Sequence, residues 1–335
     1  MIMKEPILSI FMPVYNGGRF LRSGLDSILR QSFQDFELVI YDDGSKDDSL
    51  TICQEYQSRD GRIFLESGEN GKSIYKMNEF IQNAKGKYIG FVDDDDQLDV
   101  HYFEKLIMLL DKTEADCVIS SYTCIDVDGK EMRWKTPSLK EGEILSGREA
   151  MIRFLTTRDI EGFRWNKIYK KDVFIKSGMK FRNRFPADIT GEAILLSVVE
   201  KVVLSESKGY YYRQSSTSEI ATISFEKTKG FLDTFKSVSE LATCYSLEIE
   251  AEYYMVWRTI NILYEAIKNK KKYNQHDWSV FISEYDMGSW LGMSYISIIK
   301  ILCKEYEGIV DRAKIILKAL IVFVTFKKRH KVISG

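Results

Sequence analysis

With 335 residues, 44% of them hydrophobic, the chain is long and apolar enough for one large globular domain or two, each with a full core. Its 48 lysines and arginines nearly balance 49 aspartates and glutamates, so a formal charge of -1 excludes a global pull toward nucleic acid. Only three histidines (His101, His276, His330) and five dispersed cysteines (Cys53, Cys117, Cys124, Cys244, Cys303) occur. That scarcity argues against Ser-His-Asp or Cys-His catalysis, a zinc site and a disulfide scaffold, and the thiols suit a reducing cytoplasm. Acid–base chemistry then falls to carboxylates.

The first element is an apolar run at residues 7–12 that ends in Pro13-Val14-Tyr15-Asn16, read as a strand and loop rather than a signal peptide. Further apolar, β-branched runs follow at 36–41, 63–65, 88–92 and 117–122. Helical periodicity lies between them: Phe20, Leu21, Leu25, Ile28 and Leu29 share one face, and Phe103, Leu106, Ile107 and Leu110 another. Strands without strict alternation, separated by amphipathic helices, predict an α/β fold with a mostly parallel sheet covered on both faces. Ligands of such sheets bind beyond the carboxyl ends of the strands.

Two acidic clusters fall there. Asp42-Asp43-Gly44-Ser45 follows one strand and precedes a helix around residues 49–56, where helix capping alone explains a single aspartate. Tyr88-Ile89-Gly90-Phe91-Val92 runs into Asp93-Asp94-Asp95-Asp96. Four adjacent carboxylates at the end of a buried strand repel one another, and a polyhydroxylated ligand or a hard cation such as Mg²⁺ or Mn²⁺ offsets that cost, the alternative being a solvated acidic loop. Between the two, Asn70-Gly71-Lys72-Ser73 repeats the turn-then-helix grammar, with Asn78 one turn inside. From about 130 to 212 the pattern is less regular and aromatic-rich. After Ser224 it reads as helices, with Tyr254, Trp257, Ile260, Asn261 and Tyr264 on one face and no proline.

The ordered set Pro13-Val14-Tyr15-Asn16, Asp42-Asp43-Gly44-Ser45, Asn70-Gly71 with Asn78, and Phe91-Val92-Asp93-Asp94-Asp95-Asp96 resembles the large glycosyltransferase family 2. Gln31-Ser32-Phe33-Gln34-Asp35-Phe36-Glu37 also looks like that family's approach to its second strand. The resemblance covers roughly the first 215 residues. It implies a GT-A fold, Rossmann-like, and an inverting enzyme that uses a nucleotide-sugar; the helical C-terminal extension rests on periodicity alone. The expected division is a catalytic domain over 1–225, with a nucleotide-sugar half at 1–115 and an acceptor half at 116–225, followed by a helical region at 226–335.

Position by position, the resemblance implies that Pro13, Val14, Tyr15 and Asp43 hold the base, usually uracil, and that Asp94 faces the ribose. The family's Asp-x-Asp motif falls on Asp93 and Asp95, implying a bound Mn²⁺ or Mg²⁺ that neutralises the departing diphosphate. An inverting transfer needs a base for the acceptor hydroxyl. The family's acidic residue before a helix falls on Asp188-Ile189-Thr190-Gly191-Glu192-Ala193. The common Glu-Asp pair is Glu192-Ala193 here, which leaves Glu192 as the leading base and Asp188 in reserve. Arg213, in a segment resembling the family's Tyr-Arg, has a fork that matches a diphosphate, with a surface salt bridge the alternative. Trp165, in a segment resembling the family's Trp-Asn-Lys, is the candidate platform for an acceptor sugar, with burial in the core the more usual fate of such an aromatic.

The tail, 315–326, is nearly all apolar and leads into Lys327-Lys328-Arg329-His330-Lys331. It is too short to span a bilayer and has the pattern of a peripheral contact on the inner face of a cell membrane. The expected activity is transfer of a hexosyl or N-acetylhexosaminyl group from a nucleoside-diphosphate-sugar, with UDP the expected nucleotide, to a glycan or lipid-linked glycan hydroxyl in bacterial surface polysaccharide assembly. Two rivals stand beside it. A sugar nucleotidyltransferase shares the sheet and metal, but Pro13 to Gly18 lacks its Gly-rich signature with a basic residue. An inactive sugar-nucleotide-binding module is the other, with Ala193 in its favour.

Overall fold

The computed structural model describes residues 5–134, 136–156, 159–181, 187–214, 224–269, 298 and 317–322. The chain divides into two compact units, residues 1–183 with 187–216, and residues 217–335 with 184–186.

In the first unit the elements follow as β1 (Leu8–Val14), α1 (Gly18–Leu29), β2 (Phe36–Asp42), α2 (Ser49–Arg59), β3 (Ile63–Ser67), α3 (Ser73–Asn83), β4 (Tyr88–Phe91), β5 (Gln97–Leu98) and α4 (Tyr102–Thr113). Then come β6 (Cys117–Ser120), β7 (Thr123–Ile125), β8 (Ile144–Ser146), α5 (Gly147–Thr156), β9 (Lys167–Lys170), α6 (Lys171–Ser177), α7 (Ala187–Leu196), β10 (Lys201–Ser205) and β11 (Tyr210–Arg213). The main sheet has the order β3-β2-β1-β4-β9-β6-β10-β8. Only β8 and β9 run against the others. A second sheet, β5-β11-β7, carries the aromatic strand β11 between two short edges.

All five strands read from the sequence are present. β1 is buried on both faces, with Leu8, Ile10, Phe11, Met12 and Val14 inside, which is why it reads as a continuous apolar run instead of an alternating one. Its pairing with β2 continues to Val14 opposite Asp42, whereas its pairing with β4 stops at Phe11 opposite Phe91. Pro13 has no N–H to donate, and it stands where β4 has already turned away into Asp93. The carboxyl ends of β1, β2 and β4 therefore lie side by side and carry the loop at Tyr15, the Asp42-Asp43 pair and the four-carboxylate run.

Two glycines permit this closeness. A Cβ at Gly24 would lie 3.0 Å from the Asp96 carbonyl oxygen, and one at Gly17 would lie 2.2 Å from Asp94 Oδ2. Helix α1 can thus press directly against the acidic turn.

The second unit contains α8 (Phe225–Cys244) and α9 (Glu248–Lys268). Ser224 caps α8 by accepting the Lys227 N–H at 3.3 Å. On α9 Tyr254, Trp257 and Ile260 are buried, while Asn261 and Tyr264 are half-buried at the margin of that face. Lys318 Nζ donates to Asn261 Oδ1 at 2.8 Å. Residues 317–322 are helical, and the rest of the apolar tail with the basic cluster at 327–331 lies outside the described residues. Among the described residues no helix is long and apolar enough to cross a membrane.

Candidate active site

The loop after β1 and the turn after β2 interlock through backbone donors. Asn16 N–H donates to Ser45 Oγ at 3.0 Å, Lys46 N–H to Asn16 Oδ1 at 2.7 Å, and Gly18 N–H to Asp47 Oδ2 at 3.0 Å. Tyr15 is held by its own N–H, which donates to Asp94 Oδ2 at 3.2 Å, and its ring stands 50% exposed. Val14 is fully buried, and its carbonyl accepts the Asp43 N–H. Of the three residues expected at the base from this loop, Tyr15 offers a free aromatic face, and Val14 offers only backbone.

Asp43 is a cap, though of a different helix from the one the sequence indicated. Its Oδ1 accepts the N–H groups of Lys72 and Ser73 at 2.8 and 3.0 Å, and Oδ2 accepts Gly71 N–H at 2.9 Å, closing the start of α3. Asn70 Nδ2 returns a bond to the Asp43 carbonyl at 3.1 Å. Asn78 is structural: its side chain pairs with the backbone N–H and C=O of Phe181, both at 2.8 Å. Asp42 had no sequence-derived role, yet its Oδ1 is buried without a hydrogen-bond partner while Oδ2 accepts Ser45 N–H at 3.3 Å.

The four aspartates separate into two roles. Asp93, Asp94 and Asp95 are half-buried at the strand end, and Asp96 is fully buried. Asp96 accepts the Tyr210 hydroxyl and the Arg213 N–H, each at 2.7 Å, so it fastens β11 to the acidic turn. Burial pushes Asp94 up to about 8, with Asp95 and Asp93 adding repulsion. Burial raises Asp93 as well, against the pull of the Arg164 guanidinium, and it raises Asp95.

Among the described residues no three His, Cys, Asp or Glu side chains are grouped to hold a metal ion by themselves. Two half-buried carboxylates whose charged forms are disfavoured fit an ion that shares its coordination with a diphosphate. Mg²⁺-type sites use one or two carboxylates plus substrate phosphates in this way.

Three expected residues are placed differently from the sequence reading. Arg213 is 3% exposed: Nε donates to the Asp95 carbonyl at 2.7 Å, Nη1 to the Asp126 and Val127 carbonyls at 2.9 and 3.3 Å, and its guanidinium lies 4.4 Å over the Phe20 ring. It is a tie between backbone segments rather than a diphosphate clamp. Trp165 is 4% exposed and stacked on Tyr210 at 4.5 Å, Tyr212 at 4.7 Å and Phe163 at 4.9 Å. It is core, and no acceptor sugar reaches its face.

Glu192, 3% exposed, is the third. Its Oε2 accepts the Tyr169 hydroxyl at 2.7 Å, and Oε1 lies 3.8 Å from Lys167 Nζ. Lys167 is itself buried and donates to the carbonyls of Glu161 and Phe163 and to Asn166 Oδ1. Burial raises Glu192, with Lys167 opposing. A carboxylate enclosed this way does not meet an acceptor hydroxyl.

Asp188, one turn earlier on α7, is half-buried and paired through Oδ1 with Arg164 Nη1. Arg164 feels both Asp188 and Asp93, and those charges raise it despite burial. A cation therefore lies between the acidic run and the reserve base. Sequence reading missed Arg164, Lys167 and Tyr169. The signal was present, since Arg164 and Lys167 flank Trp165-Asn166 in the segment already singled out.

The family described as Glycosyl transferase family 2 matches residues 9–180, just over half of the chain. The chain is 28% identical over 217 residues to the Bacillus subtilis "Uncharacterized glycosyltransferase EpsJ", a match covering 64% of this chain and 62% of that one. It is 30% identical over 227 residues to "Glycosyltransferase GlyG" of Streptococcus pneumoniae, covering 64% and 73%. The aligned part thus spans under two thirds of the EpsJ chain. Among solved structures, S. aureus TarS 1-349 in complex with UDP superposes with TM-score 0.65 at 16% identity, covering 97% of this chain and 91% of that one. At that identity the likeness concerns the fold, the GT-A arrangement that the motif order implied, with helices after it as the periodicity indicated. Both acidic clusters, the turn at Asn70 and the strands that carry them fall inside residues 9–180, and by that match the chain belongs to glycosyl transferase family 2.

Proposed function

We propose that the chain transfers a sugar, with inversion, from a nucleoside-diphosphate-sugar to a hydroxyl of a glycan or lipid-linked glycan in bacterial surface polysaccharide assembly. One observation carries the reading. Tyr15, the Asp42-Asp43 pair and Asp93 to Asp95 converge at the carboxyl edge of β1, β2 and β4, in a setting that disfavours uncompensated carboxylates. TarS has been solved with UDP and with UDP-GlcNAc, and the mannosyltransferase PcManGT of Pyrobaculum calidifontis with GDP-Man and Mn2+ (TM-score 0.51, 11% identity), which supports this donor class.

In this reading residues 1–115 serve the donor and 116–225 the acceptor. The exposed Tyr15 ring stacks on the base, UDP's uracil in the first instance, while Asp43 supplies an acceptor oxygen and Asp94 faces the ribose. Asp93 and Asp95 would hold a divalent cation, which when bound neutralises charge on the diphosphate leaving group. Asp188 replaces Glu192 as the proton acceptor, because it is the carboxylate near the acidic run that is not enclosed. It takes the proton of the acceptor hydroxyl as that oxygen attacks the anomeric carbon. The bond to the diphosphate breaks on the opposite face. Arg164 keeps Asp188 and Asp93 from repelling each other, and holding donor and acceptor together supplies much of the remaining rate.

A thermal-shift screen of UDP, GDP and their sugars, with and without Mn²⁺, tests the donor and metal together, since a ligand of the native state raises stability by mass action. The expected outcome is a shift for one nucleotide that grows with Mn²⁺. Pyrophosphate release from a nucleoside triphosphate and a sugar 1-phosphate would instead make the protein a nucleotidyltransferase.

A further inference from the structure

We infer that the buried Lys167–Glu192 pair is a positioning device that sets where Asp188 stands, an inference that rests on the glycosyltransferase reading and on Asp188 as its proton acceptor. Two segments meet here: residues 161–167, which run into β9, and helix α7. Each supplies two charges. Asp188 and Glu192 are four residues apart on α7, the spacing that puts side chains on one face of a helix. Arg164 and Lys167 answer them from the other segment. Arg164 Nη1 pairs with Asp188 Oδ1, and Lys167 Nζ lies 3.8 Å from Glu192 Oε1. Two rungs therefore join the same two segments. The outer rung is partly exposed, with its side chains at 18% and 31%, and the inner one is closed, at 0% and 2%.

The segments touch closely enough for the inner rung to govern the outer one. A Cβ at Gly162 would lie 3.1 Å from Ile189 Cα, so residue 162 rests on the backbone of α7 beside Asp188. Lys167 Nζ donates to the Glu161 carbonyl at 2.8 Å and to the Phe163 carbonyl, which brackets Gly162 and fixes the chain just before Arg164. On the helix side Glu192 Oε2 accepts the Tyr169 hydroxyl at 2.7 Å. Tyr169 stands in register with Ile89 of β4, the strand that leads into the acidic run. The Arg164 segment, α7 and β4 are thus all referred to one strand, β9.

Stability alone does not account for the pair. Taking two charges out of water is costly, and apolar residues of similar volume often make an equally stable core. The compensation here is incomplete. At 3.8 Å the two groups are beyond hydrogen-bonding distance, and Glu192 Oε1 has no hydrogen-bond partner. Fixing register is the best-attested use of such a pair. The register at stake is that of Asp188 against Arg164, because any slide or rotation of α7 carries both of its carboxylates together.

The test is UDP release by the full chain from UDP-glucose, UDP-galactose and UDP-N-acetylglucosamine with Mn²⁺, water serving as the acceptor. It compares wild type, K167M, D188N and the double variant K167M/D188N. K167M should lower kcat about 10- to 100-fold, the scale of a misplaced catalytic group, and leave the donor KM within about threefold. In the D188N background the same change should lower kcat by less than about threefold, since residues that act as one unit are not additive. If K167M alone fails to fold, K167M/E192Q takes its place: it strands no buried charge, and its amide oxygen still accepts the Tyr169 hydroxyl. An equal loss in both backgrounds overturns the positioning role, as does a variant with wild-type kcat or one changed only in donor KM. D188N turning over like wild type removes Asp188 and the pair's role with it. A wild type that releases UDP from none of the three donors instead removes the glycosyltransferase reading beneath them.

Discussion

Glu192 Oε2 accepts the Tyr169 hydroxyl at 2.7 Å, so the residue ranked first as base from the sequence is bolted to β9, with Lys167 Nζ 3.8 Å from its other oxygen. Removing one partner of a buried ion pair strands the other charge, so Glu192→Ala should cost about 3–5 kcal/mol of stability. Asp188→Asn should leave the unfolding free energy within about 1 kcal/mol of wild type and lower transfer by about 10²-fold or more, the usual scale of general-base loss. Urea unfolding and a donor-turnover assay check both. If Glu192→Gln unfolds like wild type and alone loses transfer, the base returns to Glu192.

Asp95 gives a second test, on the ion. Its half-buried carboxylate is disfavoured by burial, and with Asp93 it is the pair assigned to the cation. Asp95→Ala should abolish the gain in UDP affinity that Mn²⁺ provides, leaving metal-free affinity nearly unchanged. EDTA should lower wild-type UDP affinity about 10- to 100-fold and leave the variant unmoved. Calorimetry with and without Mn²⁺ measures both, and an Asp95→Ala variant that still gains affinity with Mn²⁺ removes Asp95 from the ion.

The strands and the order of the motifs were legible because they are local. A run such as Tyr88 to Val92 shows its burial in its own composition, and Asp93 to Asp96 follow it by chain connectivity. The fates of Arg213, Trp165 and Glu192 depend on partners far away in sequence. Arg213 meets Asp95 across more than a hundred residues, and Trp165 lies between rings of β11 and its neighbours. No periodicity reports such pairings. Asp43 is intermediate: its capping chemistry was readable, but α3 and not α2 receives it, because the carboxyl ends of β2 and β3 are adjacent.

Arg213 as a tie predicts a stability phenotype. Three carbonyls and the Phe20 face surround its guanidinium, so neither methionine nor lysine reproduces the planar fork. Arg213→Lys and Arg213→Met should each cost about 2–4 kcal/mol, with buried carbonyls left short of donors. UDP affinity measured well below the lowered melting temperature should fall by less than about threefold. A stable variant with much weaker UDP binding would put the side chain back on the diphosphate.

Asp116 sets a pH dependence away from the site. Its Oδ1 accepts Lys170 Nζ at 3.0 Å, and Oδ2 accepts the N–H groups of Glu200 and Lys201 at 3.0 and 3.2 Å, drawing together the ends of β6, β9 and β10. Burial alone would raise this carboxyl, but those hydrogen bonds outweigh it and hold it below the usual range. A folded-state value below the unfolded one, near 3.9 for aspartate, means the stabilisation is fully present above about pH 4–5 and is lost as pH falls through the folded value. Asp116→Asn should therefore lower Tm by about 2–6 °C at pH 7, corresponding to about 1–2 kcal/mol. The gap between variant and wild type should close on acidification below about pH 4. Thermal melts of both proteins from neutral to acid pH follow that difference directly, and a gap that persists undiminished in acid would assign the loss to packing rather than to the charge.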